Sequence, residues 1–497
     1  MSSQKSPSPA RVTAEAHPRQ AASVTPAAAP DDTARQSAGR RRFDRSIVEG
    51  PIARAVWKLA WPTVLQNAIG GLQGIIDHAM VGHFVGYTGN AAIGVSWQIF
   101  LVVIVFISSL FTGMAVLVAR FTGANDPERV NRTVYQAFLT AVVLAVGIMA
   151  PIGYVLSPGL LELVNATPEV RAEALPYLRV MFLFSIGMLL FFMLGGALRA
   201  AGDARTPLRL GIGLSVLNIT LNVILIAGLG PIPALGTMGA ALGTVIASAI
   251  VSGAAIWMVL AGKLVVHFPR SMSWRPDWSI IRALFRFGLP AGLQGVAMNV
   301  AGVMLLRFIG SLEHSAEAQA AYAVGYAELF SLITWTSVGL MGAAAAVAGQ
   351  NLGAGHPERS MRAVHIAAGF GLTVAATVGA LFVLIPEMLL AVFGLDDPVV
   401  VALGTELLGY LSVSGFFITV ALTYTGGLQG TGDTRSPLYI TLVSQIAVPI
   451  GICAMLQNLG RLDAPGVWTA ILLGHVTRCV LSVLRFRQGK WRHIVVD

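Results

Sequence analysis

The stretch LRAAGDARTPL at residues 198–208 returns as LQGTGDTRSPL at residues 428–438, with Asp203 and Asp433 standing 230 positions apart. Each copy gathers a glycine (Gly202, Gly432), an aspartate, an arginine (Arg205, Arg435) and a proline (Pro207, Pro437) into one short polar loop. Glycine permits a tight turn. Proline suits the first turn of a following helix, where its missing N–H costs nothing. The aspartate either caps free N–H groups or pairs with the arginine across the same turn. The loop reads as a reinforced joint between two helices, and its recurrence as duplication of everything around it. The same offset relates GANDPER (123–129) to GAGHPER (353–359), and Trp61-Pro62 answers Leu289-Pro290 at 228 positions.

The duplicated unit belongs in a bilayer. Of 497 residues, 55% are hydrophobic and 11% charged, against about 25% charged in a soluble domain. Stretches such as 134–156 and 364–385 exceed the roughly 20 residues needed to cross about 30 Å of hydrocarbon. Twelve spans are expected, at roughly 57–82, 91–119, 133–156, 177–198, 209–229, 236–261, 287–310, 320–348, 363–385, 402–427, 437–457 and 466–484. An even number puts both termini on one side. Of 33 Lys and Arg, only Arg171, Arg179, Arg307 and Arg461 fall away from that side. This asymmetry makes the termini and both loop motifs cytoplasmic and the protein a multi-pass component of the inner (plasma) membrane. The net charge of +9 is thus topological and calls for no nucleic-acid partner.

The expected organisation is a disordered basic tail (1–50), a six-helix bundle (51–262), a basic linker (263–286), a second bundle (287–485) and a short C-terminal tail (486–497). With six spans each, the halves have the same orientation. The fold class is an all-α membrane protein, two parallel-repeat bundles around a central cavity. Cys453 and Cys479 show no metal-ligand spacing. There is no nucleotide-binding Gly-Lys-Ser/Thr loop and no catalytic carboxylate pair, so an enzyme is not expected, nor a cofactor or metal.

Taken together, the paired loops, IDHAMVG (76–82), AELF (327–330) and VAGQNLGAGHPER (347–359) in this order resemble the multidrug and toxic compound extrusion (MATE) transporters over residues 55–485. The resemblance implies alternating access and cation-coupled export.

Asp77 is the sharpest candidate for the coupling group. It lies past the middle of the first span with Gln73 and Gly70 on its helical face. A carboxylate there either exchanges protons between access states or is a hydrogen-bonded structural group. His78 points about 100° away around the helix. Asn218 and Asn222 form an i, i+4 pair in the fifth span with Ser215 on the same face, serving either the coupling site or interhelical hydrogen bonding. The resemblance implies cation coupling at Asp77; many relatives carry an acid where this chain has Asn222, and its absence favours H+ over Na+. Met298 and Ile418 stand where some relatives place further acids.

For cargo, Glu328 sits beside Tyr326 and Phe330, with Tyr322 nearby. This group either attracts a lipophilic cation or places Glu328 in an ion pair with Arg307. Gln73, Trp97 and Gln294 are further candidate cavity residues, with Gln350 and Asn351. The expected function is an H+-coupled antiporter, acting as a monomer among membrane lipids, that exports amphipathic, often cationic, drugs or metabolites. A flippase for lipid-linked saccharides would need several cavity cations, where only Arg307 is expected inside the membrane. A membrane scaffold acting through its basic tail is the rival from another class.

Overall fold

The computed structural model describes residues 43–229, 231 and 233–496. Most of the expected tail, residues 1–42, lies outside the described residues. Twelve long helices follow. In the first half they are α1 (Ile52–Phe84), α2 (Tyr87–Gly123), α3 (Pro127–Leu163), α4, α5 (Arg205–Ala227) and α6 (Gly236–Leu260). In the second they are α7 (Trp278–Ile309), α8 (Ser315–Gly353), α9 (Pro357–Leu384), α10 (Pro398–Gly430), α11 (Arg435–Asn458) and α12 (Ala464–Arg487). The α4 span is a pair, Pro168–Leu183 and Ile186–Ala200, bent by 51°. Ten continuous helices are long and apolar enough to cross a bilayer, and the bent α4 makes eleven. At 33 residues α1 has the length, but Gln66, Asn67, Gln73, Asp77 and His78 dilute its apolar run.

The helices outrun their hydrophobic cores because polar caps let the helical hydrogen bonding continue. Asp126, Asp277, Asp397 and Asp463 each accept backbone N–H bonds at a helix start, satisfying donors that have no partner within the helix.

The opening motif is built twice. Gly202 and Gly432 take φ of 95° and 102°, a conformation that a side chain would strain. Asp203 accepts from the Thr206 N–H (3.0 Å) and hydroxyl (2.6 Å). Asp433 accepts from the Ser436 N–H (3.2 Å) and hydroxyl (2.8 Å). The capping alternative is therefore realised in both copies. The ion-pair alternative needs correcting for the second copy, because the buried Asp433 receives Arg485 of α12 through Nε (2.9 Å) and Nη2 (2.8 Å). Arg435 begins α11 on its outer face and is exposed, as is Arg205 in the first copy.

The halves meet tightly at the side carrying both described chain ends. A β-carbon on Gly123 would lie 1.9 Å from the Gln350 carbonyl oxygen, and one on Gly353 would lie 2.0 Å from that of Arg120. Only glycine lets α2 and α8 approach this closely. Around the crossing, Gln350 Nε2 donates to the Ala200 carbonyl (2.7 Å), and Arg359 donates to Asn351 Oδ1 (2.9 Å) and the Gly50 carbonyl (2.6 Å). Residues 43–50 join this seal through the short helix Ser46–Glu49, whose Ile47 is completely buried. Burial raises the pKa of Asp44, but hydrogen bonds from Lys58 and Ser46 outweigh it and leave the carboxyl below its usual range. Near the other chain end, Arg120 Nη2 donates to the Ile494 carbonyl (3.2 Å) and Trp491 is buried.

The stretch linking the halves is docked on α3. The Tyr135 hydroxyl donates to the Trp274 carbonyl (2.8 Å), Gln136 Nε2 to that of Arg275 (2.9 Å), and Arg132 pairs with Asp277 (2.6 Å). The Ser279 hydroxyl and Arg132 help hold the Asp277 carboxyl below its ordinary range.

Because the guanidinium that meets Asp433 comes from α12, Asp433→Ala should destabilise the detergent-solubilised protein by roughly 2 kcal/mol. Arg435→Ala should change it by less than about 0.5 kcal/mol. Thermal unfolding of the two variants checks this, and equal losses would show that Arg435 shares the pairing.

Candidate functional site

Two polar regions lie within the helices, and one face of α1 reaches both. The first is enclosed in the N-terminal half between α1, α5 and α6. Asn222 Nδ2 donates to Asp77 Oδ1 at 2.8 Å and lies 3.3 Å from Asn218 Oδ1. Gln73 Nε2 donates to Asn218 Oδ1 (2.9 Å), and the Ser215 hydroxyl donates to Gln73 Oε1 (2.6 Å). Asn218 Nδ2 continues the chain to the Thr244 hydroxyl at 3.1 Å. The fold thus brings Asp77, Gln73, Asn218 and Asn222 into one network. His78 turns away and meets Asn90 Oδ1 through Nδ1 at 2.5 Å.

Space for this network depends on Gly243 of α6. A β-carbon there would stand 1.9 Å from Asn222 Oδ1, so a side chain would expel the amide from its place. Asn222 is completely buried, and its Oδ1 has no hydrogen-bond partner. The network therefore holds one carboxylate, several amides and a spare buried acceptor, which suits it to a single small cation or proton.

The second region is a cavity of roughly 730 Å³ between the bundles, walled by α1, α2, α4, α7, α8, α10 and α12. Its polar side chains include Gln66, Asn67, Arg199, Gln294, His475 and Arg478. Gln294 is anchored by donating to the Thr441 hydroxyl (3.1 Å) and accepting from Gln429 Nε2 (3.2 Å). Tyr326 reaches the wall from a π-helical segment of α8, Ala323–Leu329, an irregularity common at functional sites. Tyr326 stacks on Tyr322 (5.0 Å between centroids) and on His475 (6.4 Å), and Tyr322 stacks in turn on Trp468 (6.4 Å). Tyr322 thus backs Tyr326 from behind.

Other candidates are placed apart from this wall. Glu328 is exposed and is not among the lining residues. It forms no ion pair with Arg307, which is also exposed, among the described residues. Trp97 lies on α2 with its ring 6.0 Å from Phe100, away from the cavity lining. Gln350 and Asn351 serve the seal between the halves rather than the cavity.

The expectation of Arg307 as the sole intramembrane cation needs correction. Arg199 of α4 and Arg478 of α12 both line the cavity. Both belong to helices that end on the basic side, which assigns them to the positive-inside count; Arg199 stands in the last turn of α4, and Arg478 lies deeper in α12. Arg478 is 3% exposed; among the described residues its Nε has no hydrogen-bond partner, and its Nη1 meets Met298 Sδ at 3.9 Å. A buried arginine costs about 2.5–3.5 kcal/mol on insertion scales, so its retention needs a reason. The sequence signal was its place, nine residues before the end of α12.

Among known proteins, the family model MatE matches residues 62–224 and 290–455, one block in each half. The probable multidrug resistance protein NorM of Thermotoga maritima is 27% identical over 448 residues, covering 88% of this chain and 93% of that protein. The multidrug resistance protein MdtK of Pectobacterium atrosepticum is 26% identical over 454 residues, covering 88% and 95%. Among solved structures, an outward-facing multidrug resistance MATE family transporter of the MOP superfamily aligns with TM-score 0.83 at 21% identity, covering 91% of this chain and all of that one. A MOP superfamily transporter from Pyrococcus furiosus aligns with TM-score 0.82 at 22% identity, with the same coverage. The family model, repeated once in each bundle, joins the two halves in one assignment: the chain belongs to the multidrug and toxic compound extrusion (MATE) family.

Proposed function

We propose that this protein is a secondary active antiporter that exports amphipathic small molecules in exchange for protons. The observation that carries the reading is the separation of a carboxylate network in one half from a cargo-sized cavity between the halves. Similarity to proteins named for multidrug resistance supports the class of cargo. The excess of Lys and Arg beside the sealed side supports a cytoplasmic location for both termini.

The network offers a proton two hydrogen-bonding patterns. As built, Asp77 accepts from an amide N–H, the pattern of an ionised carboxylate. A protonated Asp77 becomes a donor, and the unpartnered Asn222 Oδ1 becomes its acceptor once that amide turns over. Proton binding thus rewrites bonds between α1 and α5, giving the Asn222 Oδ1 a donor while its N–H groups leave Asp77 and Asn218.

The two regions communicate through α1. Gln66 lines the cavity, and Gly70, Gln73 and Asp77 continue its stripe at helical spacing. Eleven residues along a helix span about 16 Å, so proton and cargo do not compete for one carboxylate. Exchange instead runs through the conformation of α1, with each ligand favouring a different arrangement of the bundles. The glycine crossing of α2 and α8 supplies the gate at the basic side.

In proteoliposomes with an imposed pH gradient, wild-type protein should move ethidium or carboxyfluorescein, and Asp77→Asn should lower that rate at least tenfold while still binding the dye. Transport driven by a Na+ gradient alone would replace the coupling ion. Failure of both dyes under both gradients would overturn the exporter reading.

A bulkier residue at the crossing should hold the basic side open. Gly353→Val should raise the labelling rate of an Ala346→Cys reporter, on the cavity wall, by an impermeant thiol reagent applied from the basic side. An unchanged rate would show that this crossing is not the gate.

A further inference from the structure

The central cavity holds two arginines and no acidic side chain. Arg199 lies 3.3 Å through Nη1 from Gln66 Oε1, its one hydrogen bond among the described residues, and lines the space. Among the described residues, Arg478 meets the Met298 sulfur at 3.9 Å, and its Nε has no hydrogen-bond partner. One turn earlier on α12, His475 is 2% exposed, with its Nδ1 likewise unpartnered and its ring stacked 5.7 Å from Phe330. No Asp or Glu belongs to the lining, and neither arginine has an acidic partner among the described residues.

An arginine keeps its charge, and its planar fork matches the two oxygens of a carboxylate or the oxygens of a phosphate or sulfonate. In a low-dielectric wall an unpaired guanidinium repels a cation and holds an anion strongly. Around these charges Phe111, Phe191, Val338, Ile418 and Leu422 supply apolar wall. The volume is that of a drug-sized ligand site.

We infer that the cavity takes an amphipathic organic anion, whose carboxylate, sulfonate or phosphate pairs with Arg478 and whose apolar body packs between the bundles. This rests on the exporter reading for its transport arm and not for its binding arm. Arg478 holds the head group; Arg199, nearer the sealed side, adds a second positive charge that draws the anion inward. The occupant is a free small molecule, because a cavity of roughly 730 Å³ matches a compact body rather than two acyl chains.

The test compares carboxyfluorescein with rhodamine 6G, which share a xanthene body and differ in charge, by equilibrium binding to the full chain in nanodiscs of neutral lipid. Wild type should bind carboxyfluorescein at least tenfold more tightly. Arg478→Gln should reduce that affinity about tenfold, Arg478→Lys should lose less, and Arg478→Glu should prefer rhodamine 6G. If Arg478→Gln does not fold, Arg199→Gln and the salt dependence of wild-type binding carry the same comparison. Equal or tighter binding of rhodamine 6G by wild type, or anion binding indifferent to both arginines, overturns the inference. Flipping of a fluorescent phosphatidylglycerol in proteoliposomes, without carboxyfluorescein binding, would assign the arginines to a lipid head group and overturn the free-molecule source. Asp77→Asn should lose pH-driven transport yet keep the preference for carboxyfluorescein over rhodamine 6G, so loss of coupling and loss of the binding site are read separately.

Discussion

A charge inside the hydrocarbon must be solvated by the protein or by water that the protein admits, and this requirement organises the molecule. Asp77 accepts from the Asn222 amide of α5, Gln73 of α1 donates to the neighbouring Asn218, and room for Asn222 exists because α6 presents Gly243 to it. Replacing one hydrogen of that glycine with a methyl group would break the arrangement. The result is a small polar island inside one bundle, in reach of a second polar region through a single helical face. In the proposed antiporter, coupling is therefore a property of α1 as a rod, with a titratable group toward one end of its stripe and the cavity wall at the other.

The same physics shapes the interface between the halves. The two repeats are tied on the basic side by side-chain hydrogen bonds to backbone carbonyls, and close approach comes from glycine pairs that bring backbone against backbone. Gly123 and Gly353 occupy equivalent places in the two halves, so one duplicated residue forms both sides of the crossing. Parting this crossing breaks backbone contact and a few hydrogen bonds to carbonyls while leaving the packing within either bundle in place. The paired Gly-Asp loops contribute stiffness on that side. Each caps a helix, and Asp433 also ties α12 to the α10–α11 joint.

Much of this was legible in the sequence. Duplication, span number and parallel orientation follow from the repeated loop and the distribution of positive charge. The association of Asp77, Gln73, Asn218 and Asn222 follows from helical spacing once their helices adjoin. Three features were hidden for identifiable reasons. Arg485 reaches Asp433 from 52 positions away, a distance that local pairing rules do not cross. Glu328 lies in a π-helical turn, whose i to i+5 bonding adds a residue and moves later side chains about 100° around the axis. Arg199 and Arg478 were counted by their nearness to basic loops, a measure of topology that is blind to which way a helix faces.

Pulsed electron paramagnetic resonance reads whether the protonation state of Asp77 sets the relation between the bundles, as the proposed exchange requires. Spin labels would be placed through Tyr87→Cys and Leu384→Cys, both exposed and away from the basic side, with Cys453 and Cys479 replaced by serine. The distance distribution should shift between about pH 5 and about pH 8 and stay fixed in Asp77→Asn. A shift that persists in the variant, or no shift in the parent, would contradict the proposed exchange.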